Sequence, residues 1–129
     1  MSRKPYIRPV PKTSWYLRDG RYKRYMAREV TCLLIGAYTG VFAMGIWRLA
    51  EGREAFEAFM AALHAPGAIV FHLVALAFSI YHSTTWFNVT PQAMPLMKGE
   101  DFVPGTVIVG AHYAAWAVAS LVILIAVGA

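Results

Sequence analysis

The sequence predicts an all-α integral membrane protein of three transmembrane helices, with its N-terminus in the cytoplasm and its C-terminus outside. Three observations carry that reading. The 129 residues are 58% hydrophobic and only 15% charged, with a mean hydropathy of +0.47, proportions foreign to a soluble domain of this size. The apolar residues gather into three runs long enough to cross a bilayer, at about 27–49, 67–89 and 105–128. Nine of the twelve Lys and Arg residues fall within the first 28 positions, so the net charge of +5 is a block abutting the first run. Such a block holds the N-terminus in the cytoplasm and gives it anionic lipid to contact. Residues 1–129 read as one membrane domain, without repeats or low-complexity tracts.

Residues 1–26 read as a basic cytoplasmic segment: Arg3-Lys4-Pro5-Tyr6-Ile7-Arg8-Pro9, then Trp15-Tyr16, then Arg21-Tyr22-Lys23-Arg24-Tyr25. The prolines predict an extended start, and the tyrosines and tryptophan suit the headgroup region. No apolar core of a signal peptide is present, so no cleavage is expected. Basic residues interleaved with aromatics also occur in nucleic-acid-binding segments, but beside so hydrophobic a remainder no nucleic-acid partner is expected.

The first span is apolar from Val30 to Trp47, with Arg28 and Glu29 at its threshold. Gly36, Gly40 and Ala43 have the spacing of a small-residue seam and are expected to face another helix. Cys32 is the single cysteine, so no internal disulfide can form, and a buried, inert thiol is expected. In the first loop, 48–66, Glu51, Glu54 and Glu57 accompany Arg48 and Arg53. Phe56, Phe59, Met60 and Leu63 recur there at helical intervals, which predicts a short amphipathic helix on the membrane surface, followed by a solvated His64. Pro66 suits the first position of the second helix, which is expected to end before Pro91. A loop with a Lys98-Gly99-Glu100-Asp101 turn then leads to the last, almost wholly apolar helix.

The chemistry gathers at two helix ends. His82 and Trp86 are four residues apart and share one helix face. An ionisable side chain at lipid depth is costly and marks a functional site. With a cytoplasmic N-terminus, the start of span one and the end of span two reach the same membrane face. At about 1.5 Å rise per residue, His82 lies roughly 8–10 Å inside that boundary and Trp86 a few ångström inside. Arg28, Glu29, His82 and Trp86 are therefore expected to line one pocket. Its chemistry suits a quinone headgroup: His82, the Trp86 indole N–H and Arg28 supply donors to two carbonyl oxygens, and Glu29 exchanges protons with the cytoplasm. No electron carrier is encoded in the chain, so electrons must come from another subunit.

The opening Arg3–Pro9, the Tyr25-Met26-Ala27-Arg28-Glu29 threshold and the His82-x-x-x-Trp86-Phe87 segment with Pro91 together resemble a known pattern. Over essentially its whole length the chain is similar to the C-type membrane anchors of bacterial quinol:fumarate reductases, within the wider succinate dehydrogenase and fumarate reductase family. The resemblance implies a multi-pass protein of the bacterial cytoplasmic (inner) membrane. It implies three protein partners: a second small membrane anchor (of the D type), an iron–sulfur subunit, and a flavoprotein. FAD and the iron–sulfur clusters would lie only in those partners. It also implies a menaquinone site near the iron–sulfur subunit, whose anchor residues match Arg28, Glu29, His82 and Trp86. Fumarate reduction and succinate oxidation are equally compatible with it.

His72 and His112 stand outside that pattern, and His112-x-x-x-Trp116 repeats the His82–Trp86 spacing. Each is expected to hydrogen-bond a neighbouring helix or the second anchor. Related anchors bind haem b through two histidines. Here His72 and His112 differ in depth by about 15 Å, which rules out one haem between them. His82 and His112 lie at similar depth, and either could pair with a histidine of another chain. The C-type anchor is haem-free, so haem b is not expected; a haem b-binding anchor of a succinate dehydrogenase is the alternative. A purely structural anchor is a second alternative. A small proton-coupled transporter built around Glu29 would need more polar positions along its spans.

Overall fold

Asp19 sets where the first helix begins. Its backbone is extended (φ −141°, ψ 144°), and its carboxylate accepts from the Arg21 backbone N–H at 2.7 Å and from Arg21 Nε at 3.4 Å. That is an N-cap, and these hydrogen bonds hold the Asp19 carboxyl below its ordinary pKa. The computed structural model describes residue 7 and residues 9–128, so the extended start expected at 1–9 lies largely outside the described residues. Helix α1 runs Gly20–Glu51, beginning about two turns earlier than the apolar pattern predicts. The basic residues ahead of Val30 are good helix formers and simply continue the helix toward the cap. A 3-10 turn at Trp15–Arg18 precedes it, with the Trp15 ring 5.4 Å from that of Tyr22.

Gly52 ends α1 at φ +123°, a conformation that suits glycine, and its N–H returns to the Leu49 carbonyl at 3.3 Å. The chain turns directly into α2 (Arg53–Leu63), the short amphipathic helix that the Phe56–Leu63 spacing predicts. Gly45 of α1 is buried because Phe59 of α2 lies on it: a Cβ there would stand 3.0 Å from Phe59 Cε1. The ion pairs Arg48–Glu51 and Arg53–Glu57, both 2.7 Å, are exposed and contribute little to stability.

Helix α3 spans Pro66–Ala93, with Pro66 in its first turn. It carries through Pro91 instead of ending before it. Proline removes the N–H that would reach the Phe87 carbonyl, but the loss falls in the last turn, and Met94 N–H closes the end on Thr90 O at 2.8 Å. A hairpin follows, pairing β1 (Met97–Lys98) with β2 (Asp101–Phe102) around Gly99-Glu100. Gly99 is at φ +67°, the positive value that a two-residue hairpin turn with glycine first requires. Helix α4 then covers Gly105–Gly128. A Cβ on Gly105 would meet Pro91 Cβ at 3.2 Å, so glycine here lets α4 start against the end of α3.

α1, α3 and α4 have 32, 28 and 24 residues and are apolar enough to cross a membrane. At about 1.5 Å per residue they are roughly 48, 42 and 36 Å long, against a hydrocarbon layer of about 30 Å. The chain divides into two compact units, Met1–Ala62 and Leu63–Ala129. Among the described residues Ala75 and Ile108 are the only buried hydrophobics, while Leu33 is 74% and Leu124 69% exposed. Such surfaces suit lipid or a protein partner, and water would not tolerate them. The same fact corrects one sequence expectation. Cys32 is exposed on the helix surface and not buried. Within the first unit, a Cβ added at Gly36 or Gly40 would meet nothing within 4 Å. In lipid an apolar side chain needs no protein cover, so apolar sequence does not foretell burial.

Candidate functional site

Arg28 and Glu29 sit in the third turn of α1, both half-buried, and so lie within the helix instead of at its threshold. The Arg28 guanidinium carbon is 5.7 Å from the Tyr25 ring centroid, a cation–π contact one turn back along the helix. The Thr31 hydroxyl donates to the Arg28 carbonyl, and Thr31 is the one buried polar residue among those described. Arg28 is thus packed against its own helix, with its Nε buried.

His82 and Trp86 occupy one face of α3, their ring centroids 6.2 Å apart. Around them the hydroxyls turn inward to the helix. Thr84 donates to Ile80 O at 2.8 Å, Thr85 to Tyr81 O at 2.8 Å and His82 O at 3.0 Å, and Thr90 to Trp86 O at 2.9 Å. Those bonds remove the hydroxyls' need for outside partners in lipid. The half-buried imidazole and an indole 37% exposed stand out as the polar rings of this turn.

The opposite side of α3 packs on α4. Phe87 contacts three rings of α4: His112 at 5.4 Å, Tyr113 at 5.2 Å and Trp116 at 5.9 Å. Asn88 Nδ2 donates to the Tyr113 hydroxyl at 3.2 Å and to Thr84 O at 2.6 Å. Successive residues turn by about 100° around a helix. Phe87, Asn88 and Pro91 therefore face α4, and His82 and Trp86 point to the far side of α3. Asn88 and Tyr113 carry no sequence motif. Their signal is weaker: an amide and a phenol at comparable depth on two helices joined by a short hairpin.

His112 Nδ1 lies 2.8 Å from the Ile108 carbonyl, so Nδ1 carries the proton and donates. This bond lies within its own helix, and ring packing on Phe87 supplies the contact with α3. His72 is half-buried beside Phe71, ring centroids 5.9 Å apart, and His64 is exposed after α2. Among the described residues no three His, Cys, Asp or Glu side chains converge as a metal site requires. Of the four residues predicted to share a pocket, Arg28 and Glu29 are adjacent in the first unit and His82 and Trp86 adjacent in the second.

Comparison with known proteins places these residues in context. The family model for the C subunit of fumarate reductase matches residues 1–128. The chain is 37% identical over 126 residues to a fumarate reductase C subunit of Vibrio cholerae, with 98% of each chain covered. Identity is 38% over 127 residues with that of Vibrio vulnificus, and 36% over 127 residues with that of Photobacterium profundum, again with 98% of each covered.

Proposed function

The chain belongs to the family of fumarate reductase C subunits, and we propose that it anchors a quinol:fumarate oxidoreductase and forms part of its quinone site. It is a multi-pass protein of the bacterial inner membrane. The proposed partners are a second membrane anchor of the D type, an iron–sulfur subunit and a flavoprotein. The basic N-terminal segment sits in the cytoplasm beside them, and the C-terminus lies outside. The proposed substrate is menaquinol or menaquinone, whose isoprenoid tail follows the exposed apolar helix faces.

The observation that carries the quinone reading is the His82–Trp86 face, aimed away from α4 on a helix long and apolar enough to cross a membrane. A face without need of polar groups would not hold an imidazole and an indole there. Trp86 Nε1–H and His82 donate to the quinone oxygens, and Arg28 supplies a charged donor. Oxidising a quinol to a quinone releases two electrons and two protons. The electrons pass to the iron–sulfur subunit, and Glu29 takes up protons and returns them to the cytoplasm.

The test is the intact complex purified with and without this chain. With it, both quinol and a soluble dye should drive fumarate reduction. Without it, the dye-driven reaction should persist in a soluble remnant and the quinol-driven reaction should be lost. Retention of quinol-driven activity without the chain would end the proposal.

A further inference from the structure

We propose that Asn88 and Tyr113, with Phe87 as a wedge, are positioning residues that fix the rotation of α3 and so aim His82 and Trp86 at the quinone. The inference rests on the quinone-site reading above and assigns it residues that touch neither quinone nor cofactor.

Four observations converge on it. Pro91 provides no N–H for the Phe87 carbonyl, so the end of α3 lacks one of its own rungs just beyond Trp86. The helix through His82 and Trp86 is continuous, so contacts that fix the roll of this end also fix the indole, and a few degrees of roll displaces its N–H from a fixed acceptor. The missing rung is bracketed by contacts to α4. On one side Phe87 is inserted among His112, Tyr113 and Trp116, with ring centroids 5.2–5.9 Å away. On the other, Gly105 permits the approach of Pro91. Between them Asn88 joins its own Thr84 carbonyl, at 2.6 Å, to the Tyr113 hydroxyl, at 3.2 Å. This side-chain hydrogen bond ties α3 to α4 on the face opposite the His82–Trp86 pair. Such a bond gives directional restraint that apolar packing does not.

The prediction separates aiming from mere stability. In the intact complex, Tyr113→Phe keeps the ring and its contact with Phe87 but removes the acceptor for Asn88. Quinol KM should rise about three- to fifteenfold, the range an interhelical hydrogen bond in lipid commands, and dye-driven fumarate reduction should be unchanged. Asn88→Leu should give a rise of the same size, and the two together no more than either alone. The deciding measurement is Tyr113→Phe in a His82→Ala, Trp86→Leu background. If the bond acts by aiming those two side chains, it should then have no further effect on quinol KM. An equal rise in both backgrounds would overturn the inference, as would a parallel fall of quinol- and dye-driven rates. A quinol KM sensitive to His82→Ala but not to Tyr113→Phe or Asn88→Leu would overturn it and leave the quinone reading standing. Insensitivity to His82→Ala and Trp86→Leu would overturn the quinone reading itself, and the aiming role with it.

Discussion

The imidazole of His82 and the indole of Trp86 lie 6.2 Å apart, centroid to centroid, with their planes inclined at 56°. One turn of α3 thereby carries both rings on one face, each ring limiting the motion of the other. The arrangement is local to one helix, so either ring can be changed without dismantling the fold.

Trp86→Phe retains a ring against His82 and removes only the indole N–H. If that N–H serves a quinone oxygen, the lost hydrogen bond is worth about 1–3 kcal/mol, roughly a five- to hundredfold loss in quinol-driven kcat/KM. Parallel assays with quinol and with a soluble dye check it, and the dye-driven rate should hold.

Glu29→Gln preserves shape but cannot carry a proton. On the proposed role, quinol-driven kcat should fall at least about tenfold with quinol KM within about twofold, because proton removal and not binding is impaired. Steady-state kinetics of the purified complex give both parameters.

Gly45 and Phe59 provide a test of the fold. Leucine at position 45 would press on the Phe59 ring, which lies 3.0 Å from the site of a new Cβ. Overpacking of that kind costs about 1–3 kcal/mol, so Gly45→Leu should lower the thermal midpoint of the complex. Adding Phe59→Ala to Gly45→Leu should recover part of the loss, which a thermal melt of the three proteins would show.

The basic block before Val30 predicts a cytoplasmic N-terminus and a C-terminus outside. A reporter that works only outside the cytoplasm should be active when fused after Gly128 and silent when fused at the N-terminus. Reversed activities would put Arg28, Glu29, His82 and Trp86 at the outer face.

The three crossings are legible in the sequence because lipid demands long apolar runs, and α4 begins where the pattern places it, at Gly105. The start of α1 is hidden because hydropathy changes at Val30, whereas the backbone responds to Asp19 and to the helix-forming basic residues between. Pro91 misleads for a related reason: a proline in the final turn costs a single bond, which the surrounding contacts tolerate. Of the candidate site, the adjacency of Arg28 with Glu29 and of His82 with Trp86 can be read from spacing alone. The Asn88–Tyr113 bond cannot, since neither residue belongs to a periodic pattern and their meeting depends on how α3 and α4 are rolled. Cys32 shows the limit of hydropathy in lipid, where apolar and exposed are compatible.

The most direct test of the central claim, that Arg28, Glu29, His82 and Trp86 serve one quinone, is photolabelling of the intact complex with a light-activated menaquinone analogue. Peptide mapping should find the label in two segments of this chain, one around Arg28–Glu29 and one around His82–Trp86, with excess menaquinone suppressing both. Label confined to the partner subunits, or on α4 around His112 and Trp116, would contradict it.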